Sequence, residues 1–320
     1  MGVTFSQFFP PSPTLTEADL PNQAGKVFIV TGGYSGVGKE LCTILYQAGG
    51  TVYLAGRSKE KAQEAISYIK RLEMNNKSLP GKLVFLELSL DNLATIKPAV
   101  ERFTSVETRL DVLFNNAGVS NPPPGSISVQ GDELQMATNC LGPHLLTQLL
   151  LPIMRKTGNV LQSPGAVRVI WTSSIIVDLS VSKEGISLKE LTTISKNQQY
   201  NYLKTKLSNW FLASHLATQV GADADGILSL TINPGNMKTG LLRHMPAIVG
   251  ILFSPILYHA RMGAYTALWA GLSKKLNIHD GGKYILPWGR IHPSPRVDLL
   301  DTMSAREFVE FCDRKIVDFM

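Results

Sequence analysis

Tyr202 and Lys206 stand four residues apart in YLKTK, which places a phenol and an ammonium on one face of a helix, within reach of a common ligand. A free phenol of pKa near 10 is only about one part in a thousand ionised at neutral pH. An ammonium that lowers this pKa is what would make it a useful proton carrier. Tyr200 and Lys204 repeat the interval. A shift of two residues turns about 200° around a helix, so the two pairs cannot face one ligand. Ser174 adds a hydroxyl at the end of the apolar run VRVIWTSS. If that run is a strand of a parallel sheet, its end opens on the crevice where ligands of such sheets bind. A hydroxyl, a phenol and a lysine there make a proton-transfer site.

A second constellation lies near the start of the chain. The run KVFIV leads into Thr31-Gly32-Gly33-Tyr34-Ser35-Gly36-Val37-Gly38, and a helical stretch begins at Val37. A helix N-terminus presents unpaired N–H groups and a partial positive charge, and glycines let the backbone turn tightly and approach a pyrophosphate. The strand before, the helix after and the further strand TVYLAGR favour a dinucleotide over an ordinary strand-to-helix turn. After that second strand stand Ala55-Gly56-Arg57-Ser58, where the adenosine ribose would arrive. A guanidinium with no carboxylate in this stretch predicts a preference for a 2′-phosphate, hence NADP as cofactor.

These groups need a scaffold to bring them together, and the chain reads as one. Strand-like runs KLVFLEL, LDVLFNNAG, VRVIWTSS, ILSLTINPG and KYILP alternate with helical stretches, among them DNLATIKPAVERF, one from Asp132 to Met154 and one from Tyr202 to Thr218. Near-continuous Val, Ile and Leu strands separated by helices predict an α/β fold, a doubly wound and mostly parallel sheet covered on both faces. Residues 1–24 read as a polar, Pro-rich extension, and 25–320 as a single domain. The segment 175–200 reads as a loop-length insertion. Residues 236–260 read as a small lid whose Met245, Ile248, Ile251, Leu252, Phe253 and Ile256 suggest a hydrophobic small-molecule substrate.

Composition removes other classes. The chain has 320 residues, of which 44% are hydrophobic and 18% charged, an ordinary globular balance. Mean hydropathy is +0.06. The net charge of +6 is spread without a basic run longer than Lys274-Lys275, so no nucleic-acid partner is expected. AIVGILFSPILY at 247–258 is shorter than the roughly 20 apolar residues of a membrane span and contains a proline. Cys42, Cys140 and Cys312 form no ligand-spaced cluster, and among the six histidines His144 and His215 have no ligand-spaced partner, so no metal is expected. The cysteine usage and the lack of an export signal point to a reducing intracellular compartment, the cytoplasm. Gly2 and Ser6 fit the spacing of a myristoylation pattern, a match that short sequences often make by chance.

The sequence resembles the short-chain dehydrogenase/reductase family, and within it the fungal and retinol-dehydrogenase-like members. TGGYSGVG is similar to its T-G-x-x-x-G-x-G, and NNAG at 115–118 to its strand-four signature. Ser174, Tyr202 and Lys206 match its Ser and Y-x-x-x-K, Asn139 its helix asparagine, and Pro234-Gly235-Asn236-Met237-Lys238-Thr239 its P-G-x-x-x-T. Thr205 and Asn209 fit positions flanking the family's lysine, which favours Tyr202 and Lys206 over Tyr200 and Lys204.

The resemblance implies a Rossmann-type domain and an oxidoreductase that moves a hydride between NADP and a carbonyl or alcohol. Tyr202 would be general acid or base. Lys206 would hold the nicotinamide ribose and depress the tyrosine pKa, Ser174 would hydrogen-bond the substrate oxygen, and Asn139 would hold a relay water. Gly32, Ser35, Gly36, Val37, Gly38, Arg57, Asn115 and Gly118 would line the cofactor, with Met237 and Thr239 at the carboxamide. Glu87 stands where relatives carry the Asp of the adenine region. Asn115 reads more readily as a structural amide tying neighbouring strands. A homo-oligomer is compatible with all of this. The alternatives are a non-catalytic NADP-binding sensor or scaffold, which an intact Ser174, Tyr202 and Lys206 argue against, and a Gly-loop methyltransferase, which has no use for Y-x-x-x-K.

Overall fold

The computed structural model describes residues 2–73, 79–180, 186–238, 257–295 and 302–320. Successive residues of its central strands feed two different cores, as a sheet buried on both faces requires. In β1 (Val27–Thr31), Val27 and Ile29 belong to one apolar cluster while Phe28 and Val30 belong to the other. In β2 (Thr51–Gly56), Tyr53 and Ala55 face the first cluster and Val52 and Leu54 the second. The sheet continues with β3 (Lys82–Glu87), β4 (Val112–Asn115), β5 (Arg168–Thr172), β6 (Leu228–Ile232), β7 (Tyr284–Leu286) and β8 (Arg290–Ile291). Its order is β3-β2-β1-β4-β5-β6-β7-β8, with every neighbouring pair parallel except β7 and β8. The chain winds outward in both directions from the junction of β1 and β4, and a crevice opens beyond the strand ends at such a reversal.

In chain order the helices are α1 (Val3–Phe8), α2 (Gly36–Gln47), α3 (Lys59–Arg71), α4 (Ile96–Thr104), α5 (Leu134–Met136) and α6 (Gly142–Leu161). Then follow α7 (Ile176–Ser180), α8 (Leu188–Thr192), α9 (Gln198–Val220), α10 (Ala260–Leu272) and α11 (Thr302–Ile316). Leu41 and Ile44 of α2, Ala65 of α3 and Leu268 of α10 fill the core on one face of the sheet. Ile96 of α4, Leu145 of α6, Trp210 of α9 and Phe308 of α11 fill the other. This is the doubly wound α/β arrangement that the alternation of strands and helices predicts.

Local sequence explains where several helices begin. The Ser58 hydroxyl caps α3 by accepting from the Lys61 N–H at 3.3 Å, and Ser187 caps α8 by accepting from the Glu190 N–H at 3.3 Å. Asn197 caps α9, its Oδ1 accepting from the N–H groups of Gln199 and Tyr200. The segment 175–200 therefore holds α7 and α8 rather than a plain loop. Residues before 25 also differ from a plain extension, since α1 packs against the sheet end and Gln7 is 1% exposed. At the two ends of the segment expected to form a lid, Met237 and Tyr258 form a parallel bridge, with the Lys238 N–H donating to the Tyr258 carbonyl and the Tyr258 N–H to that of Asn236. The apolar residues expected to build the lid, Met245, Ile248, Ile251, Leu252, Phe253 and Ile256, lie outside the described residues.

Candidate active site

The turn after β1 is built by backbone geometry that side chains would block. Gly32 and Gly36 have φ of 66° and 51°, in the left-handed region that favours glycine. A Cβ on Gly38 would sit 2.5 Å from the Gly32 carbonyl oxygen and 2.6 Å from Asn116 Nδ2. Ser35 is the N-cap of α2 but its side chain makes no capping bond, so the first-turn amides of α2 are not satisfied by a cap. Thr31 knits the turn to β4, its Oγ1 accepting from the N–H of Asn116 at 3.0 Å and of Ala117 at 2.9 Å. Val37 and Met237 meet over Gly263 of α10, where a Cβ would come within 2.9 Å of each side chain. The turn after β1 thereby touches the turn after β6.

The second cluster sits where β4, β5 and α9 converge. The Lys206 ammonium donates to the Thr172 carbonyl at 2.9 Å and lies 5.4 Å from the centre of the Tyr202 ring. Asn209 Nδ2 donates to the same carbonyl at 2.9 Å, and Ser173 Oγ donates to the Lys206 carbonyl at 2.7 Å, so the end of β5 is bonded directly to α9. The neighbouring Ser174 is half-buried, and its carbonyl accepts from the Tyr284 hydroxyl at 2.9 Å. Tyr200 and Lys204 turn elsewhere. The Tyr200 hydroxyl donates to Glu190 of α8 at 2.9 Å, and the Lys204 ammonium is bonded to the Thr193 carbonyl.

Asn139 lies on a π-turn, Ala137–Leu141, inserted between α5 and α6. Its Oδ1 accepts from the Val119 N–H at 2.8 Å, and its Nδ2 donates to the Val119 carbonyl and to Thr205 Oγ1, each at 3.0 Å. A Cβ on Gly118 would stand 3.3 Å from Asn139 Oδ1 and 3.4 Å from Lys206 Nζ, so these three residues meet at one point. Asn115 bonds sideways, its Nδ2 donating to Thr147 Oγ1 of α6 at 3.0 Å. The amide that ties neighbouring strands is Asn116 instead, whose Nδ2 donates to the Thr31 carbonyl at 2.8 Å.

Comparison with known proteins adds to this geometry. A family model described as short chain dehydrogenase matches residues 26–181. A short-chain dehydrogenase/reductase of Pestalotiopsis fici is 41% identical over 319 residues, covering 97% of this chain and 96% of the relative. The chain belongs to the short-chain dehydrogenase/reductase family. Another member, from Phomopsis amygdali, is 44% identical over 292 residues, 89% of this chain and 85% of its own. The fold is shared with an NADPH-bound carbonyl reductase from chicken fatty liver, at a TM-score of 0.61 and 20% identity over 85% of this chain and 99% of the other. As a short-chain dehydrogenase/reductase, the protein is an oxidoreductase acting on CH–OH and C=O groups, and its fold takes a nicotinamide cofactor.

The residues present fit such a cofactor. The cradle at Gly38 admits no side chain, and Thr138 Oγ1 and Asn236 Nδ2 are buried polar atoms without a partner among the described residues. Burial dominates the electrostatics of this oxidoreductase's candidate site. It pushes the Tyr202 phenol above its ordinary value and drives the Lys206 ammonium down to about 8. The loss of hydration is the cause of the upward shift at Tyr202.

Around Arg57 the structure adds a partner that lies outside the stretch 55–58. Arg57, with a side chain 64% exposed, pairs with Asp91 at 3.2 Å, and Ser89 Oγ holds the other carboxylate oxygen at 2.7 Å. A carboxylate therefore does stand beside the guanidinium, contributed by the loop after β3. Glu87 is exposed at the outer edge of the sheet, bordering a surface groove with Lys59, Lys82 and Arg102. Strand alternation was the signal that could have found this, since Glu87 still belongs to β3 while Ser89 and Asp91 lie beyond its end. Thr239 lies outside the described residues. Among the described residues no group of acidic, His or Cys side chains could hold a metal ion, and no helix is long and apolar enough to cross a membrane.

Proposed function

We propose that this oxidoreductase interconverts a carbonyl and an alcohol on an apolar small molecule with NADP(H), Tyr202 carrying the proton. The observation that carries the reading is the buried pair on α9. Tyr202 is 9% exposed and Lys206 3% exposed, with the ammonium anchored on the end of β5 next to Ser174. The nicotinamide, when bound, supplies or accepts the hydride at the carbonyl carbon. Gly32, Ser35, Gly36, Val37 and Gly38 would hold its pyrophosphate, Lys206 its ribose, and Met237 and Thr239 its carboxamide.

The chain's own groups manage the oxygen and its proton. The Tyr202 hydroxyl gives its proton to the oxygen as negative charge develops there, and takes it back in the reverse direction. Ser174 Oγ donates a hydrogen bond to the same oxygen and fixes its orientation. Lys206 keeps positive charge beside the phenol, and Asn139, next to Gly118 and Lys206, lines the path by which a water can return the proton. The apolar substrate is supported by the sequence of residues 245–256 alone.

NADPH oxidation scanned over a panel of apolar ketones and aldehydes tests the reading. Tyr202→Phe is expected to lower kcat by about 10²- to 10⁴-fold with folding unchanged by circular dichroism, while Tyr200→Phe stays close to wild type. Retained turnover in Tyr202→Phe with loss in Tyr200→Phe would reverse the assignment.

A further inference from the structure

Gln7 is a buried amide bonded through both its nitrogen and its oxygen. It is 1% exposed, its Nε2 donates to Asp178 Oδ2 at 2.7 Å, and its Oε1 accepts from Asn233 Nδ2 at 2.8 Å. The two partners belong to the loops that leave adjacent strands. Asp178 lies on α7, four residues after Ser174. Asn233 follows β6 and shapes the turn at 234–237, its Oδ1 accepting from the Gly235 N–H at 2.9 Å. One side chain from the start of the chain therefore joins the loop that carries Ser174 to the turn that carries Met237.

The helix that delivers Gln7 is itself anchored on the same end of the sheet. Arg290 Nη2 donates to the Ser6 carbonyl at 2.8 Å, and the Tyr258 hydroxyl donates to the Phe8 carbonyl at 3.0 Å. Among the described residues, the ionisable groups around the Gln7 amide are Asp178 from α7, His292 after β8 with its Nε2 3.5 Å from Asp178 Oδ2, Tyr284 from β7, and Arg290 from β8. A buried carboxylate with a donor removed is left under-solvated, and the segment that bears it has reason to move.

We propose that Gln7 is a positioning residue of the active site, a staple from α1 that holds the Ser174 loop and the 234–237 turn in register. The staple is a matter of packing and hydrogen bonding, while its bearing on catalysis rests on the roles assigned above to Ser174 and Met237. Residues 2–9 are accordingly part of the catalytic frame.

The test uses the full chain with Gln7→Leu and the near-isosteric Gln7→Glu, each followed by hydrogen–deuterium exchange, NADPH binding and turnover. In Gln7→Leu, amides in 174–179 and in 233–238 are expected to exchange faster together, with NADPH binding weakened and kcat/KM lowered by about 10- to 100-fold. Gln7→Glu sets a second carboxyl against Asp178. It is expected to show the same defect at pH 8 and to recover towards wild type near pH 5.5, where one proton shared between the two carboxyls restores the bond. Wild type measured over the same range supplies the reference profile.

Where Gln7→Leu does not fold, Gln7→Glu alone decides by its pH profile. Faster exchange confined to residues 2–9 with unchanged kinetics, or a Gln7→Glu defect that does not respond to pH, overturns the proposal. Coupled exchange in a protein whose Tyr202→Phe variant turns over normally leaves the staple standing and removes the proton-transfer reading instead.

Discussion

Burial governs what Tyr202 and Lys206 can do, and it has a thermodynamic signature. Lys206 falls from 10.5 to about 8, so between those values the unfolded chain binds more protons than the folded one. The contribution of Lys206 to stability is penalised below about pH 8 and recovers as pH rises towards 10.5. In urea melts, wild type is expected to gain stability between pH 7.5 and 9.5 relative to Lys206→Met, and parallel pH slopes would refute the shift. Arg57 makes a separate prediction, because its guanidinium is shared with Asp91. Arg57→Ala is expected to weaken NADPH binding by about 10- to 100-fold and leave NADH binding unchanged. Asp91→Ala should tighten NADPH binding, and fluorescence titration reads both. Equal effects on the two coenzymes would remove the argument for NADP. The sequence displayed Arg57 and could not display its partner, which lies 34 residues away on another strand's loop. Tyr202 and Tyr200 were separable from the helical angle and flanking residues, whereas the burial that raises the phenol's pKa belongs to the packed site.

Helix α9 shows how an element selects among its own side chains. Over Gln198–Val220 one face meets β5 and β6 while Tyr200 and Lys204 meet α8, so a repeated Tyr/Lys interval is split into two environments. The opposing wall depends on the turn into α2, and there Gly38 is the sensitive position. Gly38→Ala puts a methyl group 2.5 Å from the Gly32 carbonyl, and the turn must open to admit it. NADPH affinity is expected to fall by at least about 10-fold while far-ultraviolet circular dichroism stays native. Unchanged affinity would show that the turn does not hold the pyrophosphate. The glycine pattern, the strand before it and the helix after it were legible because each depends on neighbours in sequence. The exchange of roles between Asn115 and Asn116 was not, since which amide reaches Thr31 depends on the twist and register of β1 against β4.

Across the whole molecule, the chain ends complete the frame. Helix α11 packs on α9, with Phe308 and Cys312 wholly buried, Asp313 bonded to His144 at 2.7 Å and Lys315 to Asp132 at 2.7 Å. Phe308→Ala is expected to cost about 3–5 kcal/mol in urea-induced unfolding, a value typical of emptying a closed core position. A loss within the range of surface substitutions, about 0.5 kcal/mol, would show that α11 does not close that core. Ala305, Phe308, Val309, Cys312 and Ile316 repeat at helical intervals, so this element carried a readable signal. Helix α1 carried little, because six residues are too few to establish a period.

The motifs, the alternation of strands and helices and the candidates proposed to carry the proton were written in short stretches of sequence, because turns, caps and amphipathic periods are satisfied within a few residues. The pairing of Arg57 with Asp91, the placement of Asn116 on Thr31 and the insertion of Gln7 between Asp178 and Asn233 came from the order of the sheet. Winding outward from β1 and β4 brings positions up to 284 residues apart to one end of the sheet, as where Arg290 meets Ser6, and no local interval encodes which of them will meet.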